Sequence, residues 1–184
     1  MITFGLIVEG NYDKQIIQPL IHKILLIKHN CICRVTFGNP RLLQKYPGFL
    51  EEFKYKMVNK AIIIKDTDLK PAEKLLQQMK SKKPNRDYPF PIYFCVVKKE
   101  IEAWLLADEY AISKVVGKQV PRIKGNLEDI NDPKGKLQRI LSKANINYTE
   151  KIAGKIALEA DINIIEHRCS YFKIFRESVI NHKL

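Results

Sequence analysis

The chain has 184 residues, of which 46% are hydrophobic and 28% are charged, a balance typical of one globular domain with a real apolar core. Its 32 Lys and Arg against 20 Asp and Glu give a formal charge of +12, which excludes an acidic protein. A positive surface of this kind favours a polyanion such as DNA or RNA as partner, unless the charge only reflects a lysine-rich composition. With neither a secretory signal nor an apolar run of membrane-spanning length, a cytoplasmic location without membrane contact is expected.

The first half of the chain alternates short apolar runs with amphipathic stretches. Apolar, β-branched runs predict strands at 2–8, 31–37, 61–64 and 92–97, and helical spacing of apolar residues predicts helices at 12–28, 48–59 and 71–82. A turn is predicted at 38–40, and a polar, proline-containing loop at 82–91. Alternating strands and helices indicate a parallel sheet covered on both faces, in which ligands bind beyond the carboxyl ends of the strands.

The second half shows helical patterns and no convincing strand. Helices are predicted at 99–108, 133–144, 149–159 and 171–182, with a loop at 117–131. We therefore predict an α/β fold with a mostly parallel four-stranded sheet flanked by helices. Residues 1–108 would form this Rossmann-like core, and residues 109–184 a helical extension that packs on it to give a single compact domain.

Acidic side chains follow two of the predicted strands directly. Glu9 comes after the first strand, and Asp66 and Asp68 come after the third, so both groups are expected at the same edge of the sheet. Asp13 lies one helical turn beyond Glu9 and would face the same pocket. Clustered carboxylates repel one another unless a cation neutralises them, and Mg²⁺ prefers oxygen ligands. The competing interpretation is that these side chains cap the helices that follow the strands.

Short motifs around these acidic residues resemble the Toprim domain of topoisomerases, bacterial primases and several nucleases. The motifs are Ile7-Val8-Glu9-Gly10 with Asp13, and Asp66-Thr67-Asp68. The segment Glu100–Asp108 is similar to small bacterial Toprim-like proteins related to the overcoming-lysogenisation-defect nucleases and often encoded beside ATPases. Further similarity to that group lies in Asp132-Pro133-Lys134, in Tyr148 with Lys151, and in the segment Tyr171–Phe175.

The resemblance implies a role for each acidic position. Glu9 would be the general acid/base or a metal ligand, and Asp66 and Asp68 would hold one or two Mg²⁺ or Mn²⁺ ions. Further ligands would be Asp13 and Glu102, with Glu100 as a rival of Glu102 because residues two apart on a helix face different ways. Lys151 is a candidate for neutralising charge in the transition state.

The function that this resemblance implies is a Toprim-like, Mg²⁺-dependent nuclease that hydrolyses phosphodiester bonds of DNA or RNA. Hydrolysis by water is expected, because the sequence shows neither the tyrosine domain of a topoisomerase nor the added modules of a primase. Defence against mobile elements with a separate ATPase partner is also implied. The alternatives are a non-catalytic Toprim-like module that binds nucleic acid or a partner, and a phosphatase or nucleotide hydrolase that acts on small molecules.

Overall fold

The computed structural model describes residues 1–68 and 70–181, and its centre is a four-stranded sheet. All the strand pairs are parallel, in the order β2-β1-β3-β4, so the predicted α/β, Rossmann-like architecture is confirmed. The strands are β1 Ile2–Val8, β2 His29–Val35, β3 Lys60–Asp66 and β4 Ile92–Val97. The helices are α1 Asn11–Leu25, α2 Asn39–Tyr55, α3 Ala72–Ser81, α4 Glu102–Leu105, α5 Glu109–Val116, α6 Pro133–Ser142, α7 Glu150–Glu159, α8 Ile162–Arg168 and α9 Ser170–Ile180.

The sheet separates two apolar cores, because successive side chains of a strand point to opposite faces. On β1, Leu6 and Val8 belong to the larger core, whereas Ile7 belongs to the smaller one. Residues of α1, α7 and α9 complete the larger core, and residues of α2 and α3 complete the smaller one. Helices therefore cover both faces of the sheet, as parallel strands require.

Close packing explains two residues of these cores. A Cβ atom on Gly5 would lie 2.3 Å from the ring of Phe53, so the absence of a side chain on β1 lets α2 approach the sheet. Trp104 is fully buried, with ring centroids 5.0 Å from Phe172 and 5.3 Å from Phe175. This aromatic group attaches α9 to the segment that follows β4.

Several element boundaries differ from the prediction. Helix α2 begins at Asn39 rather than at residue 48, since a proline is compatible with the first turn of a helix. The helix predicted at 99–108 is reduced to α4, because Lys99 has a φ of +65° and Asp108 caps the next helix. The helices α5 and α8 were not predicted, and a short 3-10 helix, Leu127–Asp129, lies in the predicted loop.

The C-terminal half packs directly on the sheet layer. The larger core includes residues on both sides of position 108, so the division at 108/109 stays a prediction. The helix predicted at 171–182 corresponds to α9, and residue 182 lies outside the described residues. Across 1–68 and 70–181, helices of sufficient length and apolarity to cross a bilayer are lacking.

Candidate acidic site at the end of the sheet

The strand order places a crevice at the carboxyl ends of β1 and β3. From β1 the chain crosses to β2 on one side, and from β3 it crosses to β4 on the other, so the two central strands diverge at this edge. Such a switch point is where open parallel sheets bind ligands. Glu9 follows β1 directly, and Asp66 is the last residue of β3.

Glu9 forms an ion pair with a lysine from the neighbouring strand. Lys65 Nζ lies 2.5 Å from Glu9 Oε1, and the Lys65 side chain is only 1% exposed. The pairing of β1 with β3 matches Ile7 with Ile63, which brings Glu9 and Lys65 opposite one another two residues later. Burial raises the pKa of Glu9, and the hydrogen bond and charge of Lys65 oppose that rise. Lys65 therefore favours the ionised form of Glu9.

Asp13 lies in the first turn of α1 and accepts two backbone hydrogen bonds there. Its Oδ2 atom accepts the N–H of Gly10 at 2.9 Å and the N–H of Glu9 at 3.1 Å. Burial raises the pKa of Asp13, and the two N–H donors and the charge of Lys134 oppose the rise. The capping role foreseen as the competing interpretation is thus present at Asp13.

Asp66 is the member of the group that other carboxylates affect most. Burial raises the pKa of Asp66 well above its usual range, and repulsion by three carboxylates raises it further. Those three are Asp13, Glu102 and Glu9. Asp66 Oδ2 also accepts the N–H of Ile101 at 3.3 Å, which joins the end of β3 to the segment before α4. The carboxyl groups from β1, α1, β3 and α4 thus lie within electrostatic range of one another.

Glu102 opens α4 and is 3% exposed. Burial raises the pKa of Glu102 to about 7, against the opposing effects of Lys134 and of the hydrogen bond that Tyr148 donates to its Oε1 at 3.0 Å. The carboxyl group can therefore hold or release a proton near neutral pH. Glu100 accepts the N–H of Lys134 at 2.9 Å, so it stabilises the start of α6 while Glu102 faces the cluster.

Two of the predicted site residues, Asp68 and Lys151, are exposed. The extended backbone predicted across Asp66 and Asp68 ends at Asp68, whose φ is +51° and whose side chain is exposed. Asp68 still lies near enough to raise the pKa of Glu9. Lys151 is exposed and lines a shallow groove with Gln15 and Pro19 between α1 and α7, and its role in neutralising charge stays a prediction.

Three residues that the sequence analysis did not assign to the site have direct effects on it: Lys65, Lys134 and Tyr148. A lysine inside the apolar run of β3 was a usable signal, because a buried charge requires a partner. Lys134 has its Nζ 4.6 Å from the centre of the Tyr12 ring, and its charge lowers the pKa of both Asp13 and Glu102. Lys134 and Tyr148 lie in segments that were named only because they resemble the small bacterial Toprim-like proteins.

The chemistry of these carboxylate donors suits a divalent cation, but their side chains are not arranged around one. In the residues described, no group of three or more His, Cys, Asp or Glu side chains is arranged to hold a metal ion. The reason lies in the contacts above, since Glu9 bonds to Lys65 and Asp13 bonds to backbone N–H groups. All the nearby donors are carboxylate oxygens, the ligands that Mg²⁺ and Mn²⁺ prefer. Lys65 contacts Glu9 through Oε1 and the N–H groups contact Asp13 through Oδ2, so these contacts do not use the second oxygen of either carboxylate.

The fold and the site together define an α/β, Rossmann-like protein with a partly buried acidic cluster at the switch point of a parallel sheet. This acidic cluster consists of Glu9, Asp13, Asp66 and Glu102. The chain belongs to the family described as a domain of unknown function (DUF4276), whose model matches residues 8–180. The match includes every residue of the acidic cluster. No curated protein and no solved structure matches the chain.

Proposed function

We propose that the protein is a Mg²⁺- or Mn²⁺-dependent nuclease of the Toprim kind, which hydrolyses phosphodiester bonds of DNA or RNA. The observation that carries the proposal is the convergence of Glu9, Asp13, Asp66 and Glu102 at the switch point, with the pKa of each raised above its ordinary value. Carboxylates that repel one another in a buried crevice favour a cation there, and perturbed titration of this kind is concentrated at functional sites. The net charge of +12 supports a polyanionic substrate.

In this proposal each residue of the site has its own role. Lys65 favours the ionised form of Glu9, and Asp13 fixes the turn between β1 and α1 so that Glu9 stays at the crevice. Asp66 and Glu102 supply further carboxylates, and Tyr148 orients Glu102. A bound divalent cation supplies activation of water and neutralisation of charge on the phosphate oxygens.

The direct test is cleavage of labelled single-stranded and duplex DNA and RNA in EDTA, Mg²⁺ or Mn²⁺. The wild-type chain should cleave only with metal, and the variants Glu9→Gln and Asp66→Asn should lose at least about 100-fold in rate. Asp66→Asn removes a repelled charge, so it should fold at least as stably as the wild type. Loss of cleavage in that variant is therefore not a loss of structure.

The matched controls are Glu73→Gln and Asp87→Asn, which change exposed carboxylates elsewhere in the same way. Both should keep wild-type rates. Equal rates in control and site variants would mean that the cleavage comes from a contaminant. A melting temperature that rises with millimolar metal in the wild type and not in Asp66→Asn would support binding at this cluster independently of turnover.

A second candidate is a non-catalytic module that binds nucleic acid or a protein partner. The observation in its favour is that Lys65 already neutralises Glu9 while backbone N–H groups occupy Asp13, so the cluster is satisfied in part without a cation. Metal-independent binding with no cleavage of any of the four substrates would favour this candidate. A role in defence and a separate ATPase partner remain predictions from the resemblance, which co-purification of an ATPase with the tagged protein would test.

A further inference from the structure

A groove on the C-terminal half of the chain is lined by cations. It has a volume of about 300 Å³ and lies between the segment that follows α5 and one face of α6. Five of its eleven lining residues are basic, compared with 32 of 184 in the whole chain, and none of the eleven is acidic. The cations, which we call the basic groove residues, are Lys118, Arg122, Lys124, Lys136 and Lys143.

Within residues 1–68 and 70–181, no ion pair neutralises the positive charge of this groove. Lys118 donates a hydrogen bond to the backbone carbonyl of Lys143, which closes one end of the groove without supplying a negative charge. Unpaired cations held side by side repel one another, so a bound anion stabilises the arrangement.

Both walls of the groove are fixed by the fold. In the wall after α5, the N–H of Val120 donates to Ser113 Oγ at 2.9 Å, and the N–H of Ile123 donates to Glu109 Oε1 at 2.7 Å. Arg168 also donates to the carbonyl of Ile123. Buried Val120 and Ile123 thus anchor a segment whose basic side chains are exposed. Such anchoring lowers the entropic cost of binding a ligand across the groove.

The opposite wall uses the periodicity of α6. Lys136, Ile140 and Lys143 lie four and then three residues apart, so they share one face at the groove. Lys134, at the other end of the same helix, acts on the acidic cluster. Because Lys134 stands two residues before Lys136, it lies on the opposite flank of α6 from the groove.

We propose that the basic groove binds the phosphate backbone of the nucleic acid substrate, on the flank of α6 opposite to the acidic cluster. The inference rests on the proposed function, because it assigns to that function the surface that holds its substrate. Apolar Ile140 and Pro121 among the cations make the groove suitable for a strand whose sugars contact the protein between phosphates. Such contacts position the strand without reading its sequence, so binding is sequence-independent.

The test measures binding separately from cleavage. Fluorescence anisotropy in EDTA, over a salt series, would follow labelled single-stranded and duplex DNA and RNA of mixed sequence. The groove variant is Lys118→Gln, Arg122→Gln and Lys124→Gln combined, and the matched control is Lys74→Gln, Lys80→Gln and Lys82→Gln, which removes the same charge from exposed positions on and beside α3. Circular dichroism would establish that both variants fold.

The groove variant should bind about tenfold or more weakly at 100 mM salt, and its salt dependence on duplex DNA should flatten by about 2 to 3 in log–log slope. The control variant should bind like the wild type. Equal losses of affinity in the two variants would overturn the groove assignment, since binding would then depend only on the net charge of the protein. Unchanged binding in the groove variant, or no binding by the wild type at low salt, would also overturn it.

The failure of this inference is distinguishable from that of the proposed function. Glu9→Gln should bind nucleic acid at least as tightly as the wild type in EDTA and yet fail to cleave it with metal. If the wild type cleaves and the groove variant binds and cleaves equally well, the groove assignment falls and the nuclease stands. If the groove variant loses binding and no variant cleaves, the groove stands and the nuclease proposal falls.

Discussion

The ion pair between Lys65 and Glu9 is the residue-scale feature with the largest energetic consequence. Its lysine is 1% exposed and its carboxylate 16% exposed, so both charges have left most of their hydration. A buried pair contributes little compared with two apolar residues, but removal of one partner leaves the other charge buried and unpaired. The structure therefore couples the stability of the sheet to the charge state of a candidate site residue.

We expect Lys65→Met to lower the free energy of unfolding by about 3 kcal/mol, because Glu9 is left without its cation. The double variant Lys65→Met with Glu9→Gln should recover a substantial part of this loss. Urea unfolding of the wild type, the two single variants and the double variant gives the coupling energy directly. Additive effects would mean that the two side chains do not interact in solution.

Glu102 predicts a pH dependence of stability. The pKa of its carboxyl group is about 7 in the folded protein and near 4.5 in the unfolded chain, so the folded state binds more protons between these values. The free energy of unfolding should therefore decrease as the pH rises from 5 to 8, with up to about 3 kcal/mol from this group at about 1.4 kcal/mol per pH unit.

Glu102→Gln keeps an oxygen that accepts the Tyr148 hydroxyl and removes the titrating proton. In EDTA it should be more stable relative to the wild type at pH 8 than at pH 5, by about 2 kcal/mol. Glu73→Gln, at an exposed position, is the control and should change little at either pH. The same difference at both pH values would show that Glu102 titrates at its ordinary pKa.

For single residues, the sequence predicted where the acidic side chains lie along the sheet better than it predicted which side chains surround them. Glu9 and Asp66 were expected at one edge of the sheet because both follow apolar runs. In the structure they lie near enough for the charge of Glu9 to raise the pKa of Asp66. The partners Lys134 and Tyr148 come from distant segments, and no local pattern indicates where such segments pack. Lys151 was named from resemblance alone, and its role stays a prediction; in the structure it lines the groove between α1 and α7.

Helix α9 is the clearest case of an element held at both ends by side chains from elsewhere. At its start, the Glu128 carboxylate accepts the N–H groups of Ser170 at 3.0 Å and Tyr171 at 2.9 Å. At its end, Lys60 Nζ donates to the carbonyls of Ser178 at 3.0 Å and Val179 at 2.9 Å. Each charge has the sign that the helix dipole favours, and each satisfies backbone groups that a helix end leaves free.

We expect Glu128→Ala to lower the free energy of unfolding by about 2 kcal/mol, because the N–H groups at the start of α9 lose a charged, buried acceptor. Glu177→Ala, on the exposed side of the same helix, is the control and should change stability by less than about 0.5 kcal/mol. Thermal and urea unfolding would measure both. Equal effects would mean that helix propensity, rather than the cap, sets the stability of α9.

At the scale of elements, apolar periodicity predicted the strands well and the later helices in part. Strand β4 has the predicted bounds, and β1 does as well, because continuous apolar runs are distinctive in a parallel sheet. Helices α5 and α8 were missed although Asp108 and Asp161 accept the N–H groups of their first turns. Those caps are visible in the sequence, but an aspartate alone does not separate a helix start from a turn.

The whole molecule carries its charge excess in both halves, with 16 basic residues against 8 acidic in 1–97 and 16 against 12 in 98–184. Repulsion between like charges opposes the compact state, and salt screens it. The melting temperature should therefore rise between about 20 and 200 mM NaCl by a few degrees, equivalent to about 1 kcal/mol for a chain of this size. A fall over this range, at constant pH and protein concentration, would show that attractive pairs dominate instead.

The packing of α1 against α7 also determines when the larger apolar core can finish forming during synthesis of the chain. The sheet needs residues only as far as Val97, but the apolar face of α1 lies against a helix that ends at Glu159. A ribosome adding 5–20 residues per second needs on the order of 10 s to pass from the end of α1 to the end of α7. Throughout that interval α1 lacks the helix that covers part of its apolar face, so the nascent chain exposes apolar surface there to which a chaperone can bind.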